Sequence, residues 1–195
     1  MKKILISATA ISVVAAAVAT AHPGATGVVR ERMDGMMAMR DAVRTLTPMM
    51  QGQVEYNSQT VIDAAAIIEN HAGETMTVLF EEGTGGPPSS ATPAVWEDWD
   101  AFEALAMRLE VVAGALGEAA ANPPGSIMPQ GAMQADAGAM MGGASSMMGG
   151  ASSMMGGSAE PDAEMMAQMP VDRVFALAAQ TCSSCHTPFR VEQED

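Results

Sequence analysis

The chain has 195 residues, with 23 Asp and Glu against nine Lys and Arg, for a formal net charge of −14. That balance argues against nucleic acid or an anionic membrane as partner, because binding phosphate requires basic surface. Four Phe, two Trp and one Tyr are few for a single domain of this size, so a bound apolar group would supply bulk that the side chains lack.

The first stretch reads as an address. Met1-Lys2-Lys3 is a basic start, Ile4 to Val18 is an apolar run, and Ala19-Thr20-Ala21 has the small-x-small form of a cleavage site. A run of about 15 residues is short of the ~20 needed to cross a bilayer. Residues 1–21 are therefore expected to be a signal peptide, and 22–195 an exported domain with no membrane span. Cleavage would remove the only two lysines and leave seven Arg against 23 acids, 7 − 23 = −16. A partner with a basic docking face would suit that surface, and so would simple solubility.

Four segments carry helical periodicity. The first runs from about Gly27 to Gln51, with Val29, Met33, Met36, Met39, Val43, Leu46 and Met50 spaced by threes and fours; Pro48 should weaken its last turn. The second begins after Asn57 or Ser58, both good N-caps, and continues to about Phe80 on a stripe of Val61, Ala65, Ile68, Ala72, Met76 and Leu79. The third opens with Thr92 as N-cap and Pro93 at the first helical position, then repeats Val95, Trp99, Phe102, Ala106, Leu109, Ala113 and Leu116. The fourth, about 171–190, places Val174, Ala178 and Cys185 on one side, flanked by Phe175 and Leu177. No segment reads as a strand. The fold expected is all-α, an antiparallel four-helix bundle.

Between the third and fourth helices, at about 122–165, the pattern fails. Asn122-Pro123-Pro124-Gly125 ends the third helix, and Met-Met-Gly-Gly-Ala-Ser-Ser then recurs from Met140, Met147 and Met154. Paired glycines in every repeat disfavour a helix by ~1 kcal/mol each. The segment is expected to be a long flexible insertion. Its thioethers are soft donors suited to Cu(I), while its composition alone favours a low-complexity spacer.

Cys182-Ser183-Ser184-Cys185-His186 has the C-x-x-C-H spacing of covalent haem attachment. On a helix, residues three and four apart are neighbours, so two thiols can bond the haem vinyl groups while the imidazole reaches iron from the same side. A disulfide would not need the histidine. A thioredoxin-like pair belongs to a βαβ setting. A zinc site would need a fourth ligand, and the remaining histidines are His22 and His71.

A bundle with this motif in its last helix resembles the class II cytochromes c, the cytochrome c′ family, including its low-spin Met/His members. Arg32-x-x-x-Met36 is similar to the family's arginine and distal residue on helix one. Met50-Gln51-Gly52 with Tyr56 resembles the loop that follows. Phe80-Glu81-Glu82-Gly83-Thr84 and Pro93-x-x-Trp96 resemble the entry to helix three, and His186-x-x-x-Arg190 the family's ending. The chain departs from the family in Pro188 within that ending, where the final turn is expected to fray, and in the methionine-glycine insertion.

The resemblance implies one covalently bound haem c held by Cys182 and Cys185, with His186 on iron. It places Met36 over the other haem face, where it either ligates iron or only packs. It implies that Arg32 pairs with a haem propionate, although a solvated Arg32 fits the sequence too, and that Arg190 flanks the imidazole. The expected function is periplasmic one-electron transfer with a redox partner protein. The alternative is binding of nitric oxide or carbon monoxide at an open distal face, with copper handling by the insertion a third reading. A homodimer is an expectation from resemblance alone. No acid–base pair or nucleophile constellation marks an enzyme, and His71 is expected to be a partly exposed bystander.

Overall fold

The computed structural model describes residues 24–125 and 161–191. The expected signal peptide and the repeats of the insertion lie outside the described residues. Four long helices form an antiparallel bundle: α1 (Gly27–Met50), α2 (Ser58–Asn70), α5 (Trp99–Glu118) and α7 (Val171–Phe189). Three short helices join them, α3 (Gly73–Thr77), α4 (Ala94–Glu97) and α6 (Ala163–Ala167), with a 3-10 turn at Ala119–Ala121 after α5. Around the bundle, α1 packs on α2, α2 on α5 and α5 on α7, whereas α1 and α7 touch only sparsely.

The core follows the apolar periodicity. Leu46, Val61, Ile68, Phe102, Val112, Leu116 and Val174 are each at most 2 % exposed. Side chains of this size contribute about 1.5–3 kcal/mol apiece when fully buried. Phe102 is the hub of an aromatic group, 4.7 Å from the Phe80 ring and 5.5 Å from those of Trp99 and Phe189.

On α1 the buried line is Arg32, Gly35, Met39, Ala42, Leu46 and Met49, one residue round from the expected stripe. Gly35 and Ala42 are small enough to let α2 come close, so the helix turns them inward. Met36, Val43 and Met50 are left half-buried at the margin of the core.

The second expected helix is two. α2 is capped as expected, the Asn57 side chain accepting from Thr60 N at 2.9 Å, but the helix stops at Asn70. Gly73 then adopts φ +58, and a Cβ there would lie 2.2 Å from a Glu110 carboxylate oxygen on α5. Close approach of α5 and the left-handed backbone at Gly73 break the helix while Ala72 and Met76 stay in the core. The third expected helix also breaks, at Asp98 (φ −129, ψ 58).

Two local expectations are corrected. Thr92 does not cap with its side chain; its hydroxyl donates to Pro188 O at 2.8 Å. The end of α7 does not fray at Pro188 either. Thr92 N donates to Phe189 O at 3.0 Å and Val191 N to Ser90 O at 2.8 Å, so the extended stretch before α4 replaces the support that the missing proline N–H withdraws.

Both ends of the expected insertion belong to the bundle. The Asn122 amide donates to Ala167 O at 2.9 Å and Met169 O at 3.2 Å. Met166 of α6 is 0 % exposed, and Arg108 on α5 donates to Pro161 O at 3.2 Å. The described residues at the two ends of the expected insertion, 122–125 and 161–165, thus belong with the helices.

Candidate haem site

The second half of α7 carries the motif. Val171, Val174, Ala178, Thr181 and Phe189 point into the core, and Thr181 returns its hydroxyl to Leu177 O at 2.9 Å. The helix therefore leaves Cys182 and Cys185 half-buried at the core margin. Neither is in a disulfide. Burial raises the Cys182 thiol, and burial with the neighbouring Cys182 pushes Cys185 up to about 11. Raised thiols of this kind are compatible with uncharged thioethers. No cluster of His, Cys, Asp or Glu suited to a metal occurs among the described residues, so zinc gains no support.

His186 follows Cys185 on the exposed side of the helix. Its pKa is lowered, first by partial desolvation and then by the positive charge of Arg190. The imidazole is thereby held neutral, the form that binds a metal. Arg190 thus acts on His186 electrostatically, and its backbone N–H donates to His186 O at 3.2 Å.

Arg32 is 5 % exposed, so the solvated alternative is wrong. Its guanidinium donates to Thr84 Oγ1 at 3.3 Å, to Thr84 O and to Ser89 Oγ at 2.9 Å. It sits 4.7 Å over the Phe80 ring. Both ion pairs among the described residues lie elsewhere, Arg30–Asp34 and Arg40–Asp41, so Arg32 is a buried cation with neutral partners. Desolvation lowers its pKa accordingly. An anionic group would complete the site, and a haem propionate is such a group. Ser89, which with Thr84 aims the guanidinium, is a residue that sequence reasoning missed, and Thr84 was marked only within the family-like stretch from Phe80, not as a partner of Arg32.

Met36 lies one turn beyond Arg32 on α1, half-buried against the core. It lines a cavity of about 20 Å³ together with Arg32, Gly35 and His71. His71 is partly exposed, as expected. Phe80, Glu82, Trp96 and Trp99 line a second cavity of about 220 Å³, with the Trp96 indole fixed by donating to Phe80 O at 2.9 Å.

A helical bundle with paired thiols and a neutral imidazole on its last helix defines a c-type cytochrome architecture. The sequence matches the family model described as Cytochrome C' over residues 27–143, more than half of the chain, and the protein belongs to the cytochrome c′ family. The matched interval ends before Cys182. The structure is similar to cytochrome c′ from Thermochromatium tepidum (21% identity, TM-score 0.55, covering 85% of this chain and 95% of that one). It is similar to cytochrome c′ from Rhodobacter Spheriodes (20%, 0.54, 85% and 96%). It also resembles the nitric oxide complex of a point mutant of cytochrome c prime from Alcaligenes xylosoxidans (17%, 0.54, 85% and 94%). No curated protein matches the sequence. As a member of the family the protein carries covalently bound haem c. The donor set fits that group: two protonated thiols and a neutral imidazole on α7, a buried unpaired cation and a thioether on α1, and a sparsely packed seam between the two helices.

Proposed function

We propose that the protein is an exported, periplasmic one-electron carrier. The observation that carries this reading is the buried Arg32, held by neutral partners one turn from the half-buried Met36 on α1, in a bundle whose α7 carries the half-buried Cys182 and Cys185. Cys182 and Cys185 would hold haem by thioether bonds, with His186 offering a nitrogen and Met36 a sulfur to its iron. Arg32 balances a propionate, and Arg190 keeps the His186 imidazole neutral. Bound haem supplies the redox couple, iron alternating between ferric and ferrous. The small cavity beside Met36 favours a side chain that stays in place, which keeps reorganisation on electron transfer small. Among the described residues no helix is long and apolar enough to cross a membrane, and the acidic surface suits a redox partner with a basic face. Enzymatic turnover forms no part of this proposal.

A second reading, nitric oxide or carbon monoxide binding, is supported by the nitric oxide complex and by a carbon monoxide-bound variant of the Alcaligenes protein, 18% identical over 85% of this chain (TM-score 0.54). Optical spectra discriminate the two. Electron transfer predicts a low-spin haem that Met36→Ala converts to high spin, with Met33→Ala having little effect. A wild-type protein that is high-spin and binds carbon monoxide readily would favour gas binding. Intact mass spectrometry should find the polypeptide from His22 plus one haem. The unmodified chain, recovered from a haem-maturing periplasm, would refute attachment at Cys182 and Cys185.

A further inference from the structure

The corner between α4 and the start of α5 holds a cavity of about 220 Å³, lined by Phe80, Glu82, Trp96 and Trp99. None of the side chains assigned to haem lines it. Trp99 lies eleven residues before Glu110, about three helical turns and 20° round. It therefore shares the face of α5 whose Glu110 carboxylate stands against Gly73 of α3. We infer that this cavity is a binding site for a small organic cation, a quaternary or methylated ammonium ion, with the two indoles as its walls and Glu82 as its counter-charge. An apolar cavity of ~150 Å³ already admits benzene, so the space suits a guest of several heavy atoms.

The walls are fixed before any guest arrives. The Trp96 indole N–H donates to Phe80 O at 2.9 Å, and Gly85 leaves room for the ring, since a Cβ there would come 2.9 Å from Trp96 Cζ3. Trp99 is held 5.5 Å from the Phe102 ring. Both indoles are partly exposed, and indole is the aromatic ring that attracts a cation most strongly. The Phe80 ring already carries the Arg32 guanidinium at 4.7 Å, which leaves the indoles as the faces for a guest. Glu82 is exposed and makes no hydrogen bond or ion pair among the described residues. Between His71 and Arg108 the chain carries seven Asp and Glu and no Lys or Arg, a local field that draws cations and repels anions. The ligand set does not suit a metal ion, because a single carboxylate lines the cavity. Methyl groups on an ammonium, by contrast, take the place of its water shell and pack on the indoles.

The chain has two Trp and both line the cavity, so two indole N–H resonances report on it. The haem-loaded protein would be titrated with tetramethylammonium chloride, with sodium chloride at equal ionic strength and uncharged tert-butanol as controls. Tetramethylammonium should shift both resonances and saturate in the millimolar range, and neither control should saturate. Glu82→Gln should weaken binding several-fold. Because Glu82 is exposed, the haem spectrum and melting temperature should not change with it, so lost binding there is not lost fold. Trp99→Leu should abolish saturation at the Trp96 resonance, and Trp99→Tyr, which keeps an aromatic face, should retain part of it. Shifts that never saturate, tert-butanol binding as tightly as the cation, or an unchanged affinity in Glu82→Gln would each overturn the assignment. Neither spin state nor carbon monoxide binding enters this test, so its outcome is independent of the electron-transfer reading.

Discussion

Asn122 offers a test in which sign and size both follow from the geometry. Its amide nitrogen donates to Ala167 O at 2.9 Å and to Met169 O at 3.2 Å, tying the end of α5 to the turn that launches α7. Each such bond contributes about 1 kcal/mol net, so Asn122→Ala should cost about 2 kcal/mol. For a protein of this size 1 kcal/mol moves the melting temperature by about 2–4 °C, so the haem-loaded variant should melt about 4–8 °C lower. Asn122→Asp keeps the shape but turns a donor into a charged acceptor facing two carbonyl oxygens. It should be worse than Ala above the carboxylate pKa, and recover towards Ala in acid as the side chain is protonated. Thermal unfolding followed by circular dichroism at two pH values decides this. Amide exchange should rise in 163–171 while the Soret band stays unchanged. An Asp variant as stable as the Ala variant at neutral pH would refute the reasoning, because the carbonyls would not then be the partners that matter.

Tyr56 donates to Ala120 O at 2.7 Å, and Tyr56→Phe should cost about 1 kcal/mol in chemical denaturation. Burial raises the Tyr56 pKa above its ordinary 10.0. Its contribution is therefore complete below the unfolded-state value and is lost as pH rises through the folded one, so the variant should show a shallower alkaline loss of stability than wild type. Met166, 0 % exposed, should cost about 2–5 kcal/mol when changed to Ala, read from the midpoint of denaturant unfolding. Deleting 131–157 should leave haem attachment, spectrum and melting temperature nearly unchanged, because Asn122 and α6 lie outside the cut and loop closure depends only weakly on length. A collapsed haem spectrum would show that the segment contributes to the bundle.

The helical segments and the haem motif were legible in the sequence because they depend on neighbours along the chain. Apolar residues at spacings of three and four determine α1, α2, α5 and α7, and C-x-x-C-H needs only one helix to bring its three side chains together. Local chemistry could not say where those helices break. α2 stops at Asn70, and α3 starts on a left-handed Gly73 with a Glu110 carboxylate from α5 in the space a side chain would need; Pro188 is tolerated because residues 90–92 come across to pair with the end of α7. The inward face of α1 was also a tertiary decision. Counting hydrophobicity favours Met33 and Met36, but helix packing favours the small Gly35 and Ala42, and that rotation leaves Met36 at the core margin. Arg32 shows the same division. Its spacing from Met36 marks it in the sequence, while its burial over Phe80 and its grip on Thr84 and Ser89 depend on a loop more than fifty residues away.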